Sequence, residues 1–243
     1  MKKLSLSKRV HGYLGTILLI LTLALAAFLR LYRLGTLPPG LHPSEAHWLR
    51  LGIDISQNHT YGVLLKPANI PFDLFIILQG LLTSLTRSVH LLRVESAVFG
   101  LLVVGGIYVW SKQWFGRRTA LIAAFFAAIS PWLVIMSRNI WPVNLSLVFF
   151  VWLMVLLTKA YRTKSLGYSV ASALVLIFGC TTSRLFLIVP ALLLVCLCIA
   201  ILRKGIKDVV GREILVGIIV SALLILPLVF VTVVSQKNSA VGI

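Results

Sequence analysis

The stretch Pro71–Leu85, PFDLFIILQGLLTSL, decides the topology of this chain. It is apolar, but it is shorter than the roughly 20 residues of a membrane-spanning helix, and it contains Asp73 and Gln79. If it crossed a membrane, every later loop would change sides. Its placement therefore fixes the orientation of everything that follows it.

The composition is that of an integral membrane protein. Hydrophobic residues make up 59% of the 243 residues, charged residues only 12%, and the mean hydropathy is +1.01. Soluble domains carry about 25% charged residues. With half that charge, most of the chain has to face lipid or protein instead of water, which excludes a soluble domain.

Seven other apolar runs predict transmembrane helices, allowing for short ones. They cover residues 13–34, 91–111, 118–137, 143–159, 166–183, 184–202 and 213–235. We therefore expect an all-α membrane protein with about seven transmembrane helices, forming a single polytopic domain over 1–243. Its parts are a cytoplasmic tail (1–12), an outer loop with interfacial helices (35–90) and a helix bundle (91–235).

The distribution of basic residues distinguishes a spanning from a non-spanning 71–85 segment, because loops rich in Lys and Arg stay in the cytoplasm. If 71–85 lies on the outer surface, fourteen basic residues fall inside: Lys2, Lys3, Lys8, Arg9, Lys112, Arg117, Arg118, Lys159, Arg162, Lys164, Arg203, Lys204, Lys207 and Arg212. The short outer loops then hold only Arg138 and Arg184, and the tail only Lys237. We predict a plasma-membrane protein with a cytoplasmic N-terminus, an outer C-terminus and an interfacial 71–85 segment.

The net charge of +17 has several interpretations. The chain lacks a basic face with interleaved aromatics, so we expect no nucleic-acid partner. Binding of an anionic lipid or of a phosphate remains an alternative use of this charge. Cys180, Cys196 and Cys198 lie in apolar runs without a CxxC pair or a His cluster, which argues against a metal or redox site.

The outer loop contains the clearest candidate residues. After the Pro38-Pro39-Gly40 turn, a short helix is predicted from Ser44, with Trp48, Leu51 and Ile55 on one stripe. Glu45 is a candidate general base at the membrane surface. The alternative is structural, since Ser44 can cap the helix while the helix dipole favours Glu45 in its first turn.

Arginines near the outer ends of the spans are candidates for phosphate binding. Arg138 and Arg184 each end an apolar run, where a guanidinium can bind a phosphate with two hydrogen bonds. The alternative is snorkelling to the headgroups, which we favour for Arg30 and Arg33. Glu95 lies just inside a span and is expected to pair with a cation.

Four stretches together resemble a known enzyme group. They are RLGTLPPGLHPSEA (33–46); RVESAVFG (93–100) with WFGRR (114–118); a segment from Ala127 through Ser137-Arg138 to Asn144; and TSRLF (182–186). In this order, over about residues 28–190, they resemble GT-C glycosyltransferases. The nearest branch is glycosyltransferase family 39, which includes protein O-mannosyltransferases and lipid A aminoarabinose transferases.

The resemblance implies a membrane glycosyltransferase that moves a sugar from a polyprenyl-phosphate carrier to a lipid, glycan or protein acceptor on the outer face. It implies Glu45 as the surviving catalytic carboxylate, with Ser44 at the position where relatives carry the catalytic Asp. Lys66, Arg138, Arg184 and His47 are the implied substrate-binding residues. Membrane lipids are further expected partners. No cofactor is certain from the sequence, although a divalent cation is an alternative to basic residues at the leaving phosphate.

Three departures from the family keep a second hypothesis open. Ser44 replaces the Asp, Pro142 stands where many relatives carry an acidic residue, and the chain has about half the family's usual length. The alternative is a truncated or non-catalytic membrane subunit that binds lipid-linked sugar. A transporter is favoured less, because the polar residues collect at one face and not near the midplane.

Overall fold

The structure, a computed structural model, describes residues 2–58, 74–86, 88–204 and Gly217. Within these ranges it is helical and contains no strand. The elements are α1 (Lys2–Leu31), α2 (Pro43–Asn58), α3 (Leu74–Leu85), α4 (Val89–Ile129), α5 (Pro131–Met136), α6 (Pro142–Thr163), α7 (Leu166–Cys180), a 3₁₀ turn (Arg184–Leu187) and α8 (Ile188–Lys204). The all-α prediction is confirmed for these residues.

Three of these helices are long and apolar enough to cross a membrane: Tyr13–Leu31 of α1, α4 and α6. These three helices indicate that the chain is a membrane protein. The number of seven spans stays a prediction, and apart from Gly217 the predicted span 213–235 lies outside the described residues.

α4 is a hairpin of two helical arms, because Gly116 lies at φ 80°, ψ −179° in its interior. A side chain would be strained in that backbone conformation, which glycine adopts readily. Arg30 in α1 lies beside both Gly100 of the first arm and Ala128 of the second. Thr16, almost four turns earlier in α1, accepts a hydrogen bond from Arg117 at the tip. The two arms therefore run antiparallel along α1.

The predicted span 118–137 is wrong as one continuous helix. The second arm of α4 ends at Ile129, and α5 starts at Pro131. Proline lacks the N–H that would bond to the carbonyl oxygen four residues earlier, and its ring clashes with that turn. The break leaves the carbonyl oxygens of Ala127 and Ala128 available to another donor.

Contacts along the helices define two ends of the bundle. At one end Trp110 and Trp114 both donate to the Thr158 hydroxyl, at 3.2 and 3.3 Å. We name this the basic end, because Lys112, Arg117, Arg118, Lys159, Arg162 and Lys164 lie in or beside the turns there. At the other end, the backbone N–H of Ile140 before α6 reaches Glu45 in α2. We name this the loop end.

Both termini of α3 lie at the loop end. The N–H of Leu74 donates to the Thr181 carbonyl after α7 at 3.0 Å. Its other end leads within a few residues into α4, whose Arg93 contacts Glu45. Both ends of α3 thus lie at the same end of the bundle, which agrees with the prediction that this segment does not span. The membrane face on which it lies stays a prediction. Residues 71–73 of the deciding stretch lie outside the described residues.

α2 and α3 pack closely as a pair. A Cβ on Gly52 would lie 3.1 Å from the Gln79 backbone, and one on Gly80 would lie 2.9 Å from Ile55. The Trp48 and Phe75 rings meet edge to face at 5.9 Å. The predicted helix from Ser44 is thus confirmed as α2. Together α2 and α3 cover the loop end of the bundle through a shared hydrophobic core formed by Leu49, Phe75, Leu92, Phe99, Ile140 and Leu145.

Small residues bring α1 against the α4 hairpin. The core there consists of Ala26, Val104, Tyr108, Ala120, Ala124, Ala127 and Ala128. Small side chains let helix backbones approach closely, which is the main source of helix association where lipid replaces water. This packing holds α1 and both arms of α4 in register, and so fixes the arginines near their ends.

A candidate binding site at the loop end

Glu45 lies at the centre of the loop end, in the first turn of α2 and only 1% exposed. Its Oε1 accepts from Arg93 Nε at 3.0 Å and from the Ile140 N–H at 3.0 Å. Its Oε2 accepts from Arg93 Nη2 at 2.7 Å and from the His42 N–H at 3.1 Å. Four donors therefore hold this carboxylate, two of them in a bidentate ion pair.

Arg93 ties the loop between α1 and α2 to α4 through the same ion pair. Besides Glu45, its guanidinium donates to the carbonyl oxygens of Leu34 (3.4 Å), Pro38 (3.1 Å) and Gly40 (2.7 Å). The side chain is 2% exposed. A buried guanidinium requires such complete pairing, because an unpaired buried charge is strongly unfavourable. The loop from Leu34 to Glu45 is thus folded around Arg93.

The pKa of Glu45 lies below its ordinary value. Burial on its own raises it, but the hydrogen bonds and charge of Arg93 and the N–H groups of Ile140 and His42 outweigh that effect. Each of these donors stabilises the ionised form. Glu45 is therefore a fixed anion whose lone pairs are engaged, and it needs to release one of these bonds before it can take a proton from a substrate.

Ser44 and His47 lie on either side of Glu45 in sequence but do not share its buried environment. Ser44 is partly exposed, and its N–H donates to His42 Nδ1 at 3.3 Å. His47 is exposed, with its ring 5.1 Å from that of Trp48 in an edge-on arrangement. The structure therefore brings neither of these predicted site residues into contact with the Glu45 carboxylate.

Arg138 closes the carboxyl end of α1. It donates to the carbonyl oxygens of Leu29 (2.7 Å), Tyr32 (2.8 Å) and Leu37 (2.9 Å). The last carbonyls of a helix have no donor within the helix and favour a nearby cation. Burial and the charge of Arg93 lower the pKa of Arg138, but an arginine stays charged. The guanidinium is partly exposed, so it can still face a bound anion.

Arg30 is fully buried, so the prediction that it snorkels is wrong. It donates to the carbonyl oxygens of Ala26 and Ala128 at 3.1 Å and of Ala127 at 3.4 Å. Ala127 needs this donor because the residue four positions later is Pro131, which has no N–H. Arg33 is exposed and stacks on Tyr32, with 5.7 Å from its guanidinium carbon to the ring centre.

Two predicted binding residues cannot be placed in the site. Lys66 lies outside the described residues. Arg184 begins the 3₁₀ turn after α7, at the loop end, but only its backbone is described. Nearby, the hydroxyls of Ser146 and Thr182 lie 2.8 Å apart and join α6 to the residues just before this turn.

A second polar contact joins α3 to α4. Gln79, fully buried, donates through its Nε2 to the Oε2 of Glu95. Among the described residues, the partner of the Glu95 carboxyl is this amide and not the cation that the sequence predicted. The other side-chain oxygens of both residues have no partner among the described atoms.

The loop end carries an excess of positive charge. Among the described side chains there, five arginines outnumber three carboxylates: Arg30, Arg33, Arg50, Arg93 and Arg138 against Glu45, Asp54 and Glu95. The cavity beside Arg30, lined in part by Gly100, Ser137 and Asn144, has a volume of about 10 Å³. That is room for about one water molecule. This cavity is therefore too small to hold a sugar.

The described residues do not offer a metal site. They contain no group of three or more His, Cys, Asp or Glu side chains that could hold a metal ion. The divalent cation considered from the sequence therefore has no set of protein ligands among these residues.

Sequence reasoning missed Arg93 as the partner of Glu45. The only signal for it was that Arg93 belongs to the polar residues of the predicted outer face, shortly before an apolar span.

Comparison with family models and with curated proteins finds no match to this chain.

Proposed function

We propose that this chain is a membrane glycosyltransferase that transfers a sugar from a polyprenyl-phosphate carrier to an acceptor at the loop end, on the outer face of the membrane. The observation that carries the proposal is the fixed cationic character of the loop end. There the Glu45–Arg93 pair anchors the outer loop beside Arg138, within the segments that resemble GT-C enzymes. Anionic phosphates bind favourably to such guanidinium groups.

The proposed reaction breaks the bond between the sugar's anomeric carbon and the carrier phosphate while the acceptor hydroxyl attacks that carbon. The released phosphate keeps the bonding electrons, and cations at the loop end stabilise its charge. The partly exposed Arg138 is the described residue best placed for this role. The acceptor proton passes to a base. For Glu45 to be that base, the acceptor hydroxyl has to displace one of its present donors.

A second candidate function is a non-catalytic subunit that binds lipid-linked sugar. It is favoured by the complete engagement of Glu45 and by the serine at position 44. A serine hydroxyl is not a base of useful strength near neutral pH, and the structure already assigns Glu45 to an ion pair. Under this hypothesis the loop end keeps its cations but lacks a free carboxylate for the reaction.

Sugar transfer by the purified protein in lipid vesicles separates the two functions. The donor is a radiolabelled polyprenyl-phosphate sugar, and the variants are Glu45→Gln and Ser44→Asp, with Arg162→Gln at the basic end as the control. If Glu45 is the base, Glu45→Gln lowers the transfer rate by a factor of about 10²–10⁴, while the control keeps it. Thermal unfolding of each variant verifies that it is folded.

The second function predicts a different outcome. The wild-type protein then binds the donor without transferring its sugar, and Ser44→Asp gains transfer. If Glu45→Gln transfers at the wild-type rate, Glu45 has no part in the chemistry. A protein that neither transfers nor saturably binds the donor contradicts both functions.

A further inference from the structure

Exposed positive charge is concentrated at the basic end, where the described residues include no carboxylate. Lys112, Arg118, Arg162 and Lys164 are exposed, and Arg117 and Lys159 partly so. The acidic residues whose side chains the structure describes are Glu45 and Asp54 in α2 and Glu95 in α4. All three lie at the loop end, since Glu95 is two residues after Arg93, which contacts Glu45. These six cations therefore have no acidic partner in the described part of the chain.

Aromatic rings hold several of these cations in place. Arg162 of α6 lies over Trp114 of α4 at 4.9 Å, and Lys159 lies over Tyr168 of α7 at 5.3 Å. The first pair joins α6 to the α4 hairpin and the second joins α6 to α7. Within single segments, Lys112 covers Tyr108 at 5.9 Å and Lys164 covers Tyr161 at 5.2 Å. The cations thus belong to one surface that extends over three helices.

Stacking on a ring leaves the charge available. A cation over an aromatic face keeps its charge, because the ring carries no opposite charge to neutralise it. At the loop end, by contrast, carbonyl oxygens and Glu45 occupy the donors of Arg93. The exposed cations at the basic end can therefore contact an external anion, whereas the buried guanidinium of Arg93 already binds groups of the protein.

Exposed apolar groups surround the same surface. Phe115 at the hairpin tip is 72% exposed, Trp114 and Tyr161 are each 50% exposed, and Leu166 is 41% exposed. Amphipathic aromatics beside basic residues are typical of the boundary between lipid headgroups and acyl chains. A nucleic acid or a soluble anion would meet the charges but leave these apolar side chains in water.

We propose that the basic end is a binding surface for the headgroups of anionic phospholipids. The phosphates contact Lys112, Arg118 and Arg162, while Phe115 and Trp114 pack among the adjacent acyl chains. Because an anionic leaflet attracts each nearby basic residue by a free energy that corresponds to about a fivefold gain in affinity, several such residues select anionic over zwitterionic lipid. This inference does not rest on the proposed enzymatic function.

Competition between lipids tests this surface. The purified full chain in detergent is titrated with mixtures of phosphatidylglycerol and phosphatidylcholine, and the bound lipids are counted by native mass spectrometry. Wild-type protein should retain phosphatidylglycerol preferentially. The double variant Lys112→Gln/Arg118→Gln should lose about thirtyfold in apparent affinity for phosphatidylglycerol, since two basic residues are removed.

The matched control is Arg33→Gln/Arg50→Gln at the loop end. It removes the same number of exposed charges, and Arg33 is stacked on Tyr32 just as Lys112 is on Tyr108. Its affinity for phosphatidylglycerol should stay within about twofold of wild type, because it leaves the basic end intact. Equal retention of both lipids by the wild-type protein overturns the proposal, as does an equal loss in the two double variants. Displacement of the bound lipid by an RNA homopolymer also overturns it, in favour of a nucleic-acid surface.

Discussion

Positively charged side chains at the two ends of the bundle meet different partners. At the loop end, Arg93 and Arg138 are held by Glu45 and by backbone carbonyl oxygens. At the basic end, Arg162 and Lys159 lie over aromatic rings and meet no described carboxylate. The first arrangement uses charge to fix the backbone and leaves part of the Arg138 guanidinium to face an anion, whereas the second leaves most of its charge exposed. Where an arginine lies along the chain therefore says less about its role than what occupies its donors.

The largest expected effect breaks the ion pair at the loop end. Arg93→Leu leaves Glu45 buried without its cation and leaves three carbonyl groups without a donor, so the free energy of unfolding should fall by about 3–5 kcal/mol. Denaturant or SDS unfolding of the purified protein measures it. Arg50→Gln, an exposed arginine of α2, is the control and should change little. Similar losses in both variants would contradict the assigned role of Arg93.

Acid should weaken the same pair without any substitution. The pKa of Glu45 in the folded protein lies below its ordinary value of 4.5. The stability that this gives is fully present above pH 4.5 and is lost as the pH falls through the lowered folded value. Unfolding measured between pH 7 and pH 3 should show this loss in the wild type and less of it in Glu45→Gln. An equal dependence on pH in both would exclude Glu45 as its source.

Removal of the arginine that closes α1 should have a smaller effect than loss of the ion pair. Arg138→Gln removes charged hydrogen bonds to Leu29, Tyr32 and Leu37. Because the side chain is partly exposed, water replaces some of them, and the loss in unfolding free energy should be about 1.5–3 kcal/mol. Arg33→Gln, exposed in the same loop, should be nearly neutral. If Arg138→Gln is as stable as Arg33→Gln, Arg138 does not stabilise α1.

The smallest effect is expected at the basic end. Arg162→Gln removes an exposed stacking contact with Trp114, and such contacts contribute about 0.5–1 kcal/mol. The free energy of unfolding should therefore fall by no more than that in zwitterionic detergent. A loss as large as that of Arg93→Leu would mean that cations at the basic end are structural as well, and the difference between the ends would disappear.

Much of the helical architecture could be predicted from the sequence. The apolar runs 143–159 and 166–183 correspond to α6 and α7, and the Trp48, Leu51 and Ile55 stripe lies on α2. Local periodicity and length determine such elements, so the sequence contains them directly. The position of α3 at one end followed from the distribution of basic residues, which is a property of the whole chain.

The partners of the buried charges could not be predicted in this way. Glu45 and Arg93 are separated by 48 positions, and Arg30, Arg33, Arg50 and Arg138 were equally available as partners in the sequence. The burial of Arg30 depends on the helix break at Pro131, which the prediction of a single span from 118 to 137 overlooked. Pairing of this kind is decided by tertiary packing, and residue spacing carries little information about it.

The hydrogen bonds of Arg93 have a consequence for biogenesis. The segment from Leu34 to Glu45 leaves the ribosome well before Arg93, which binds its carbonyl oxygens. Ile140, whose N–H donates to the Glu45 carboxylate, is synthesised later still. The nascent segment therefore cannot form all of these hydrogen bonds until the chain as far as Ile140 has been synthesised. Protection of this segment from protease on stalled chains of increasing length should therefore appear only once the chain includes Ile140.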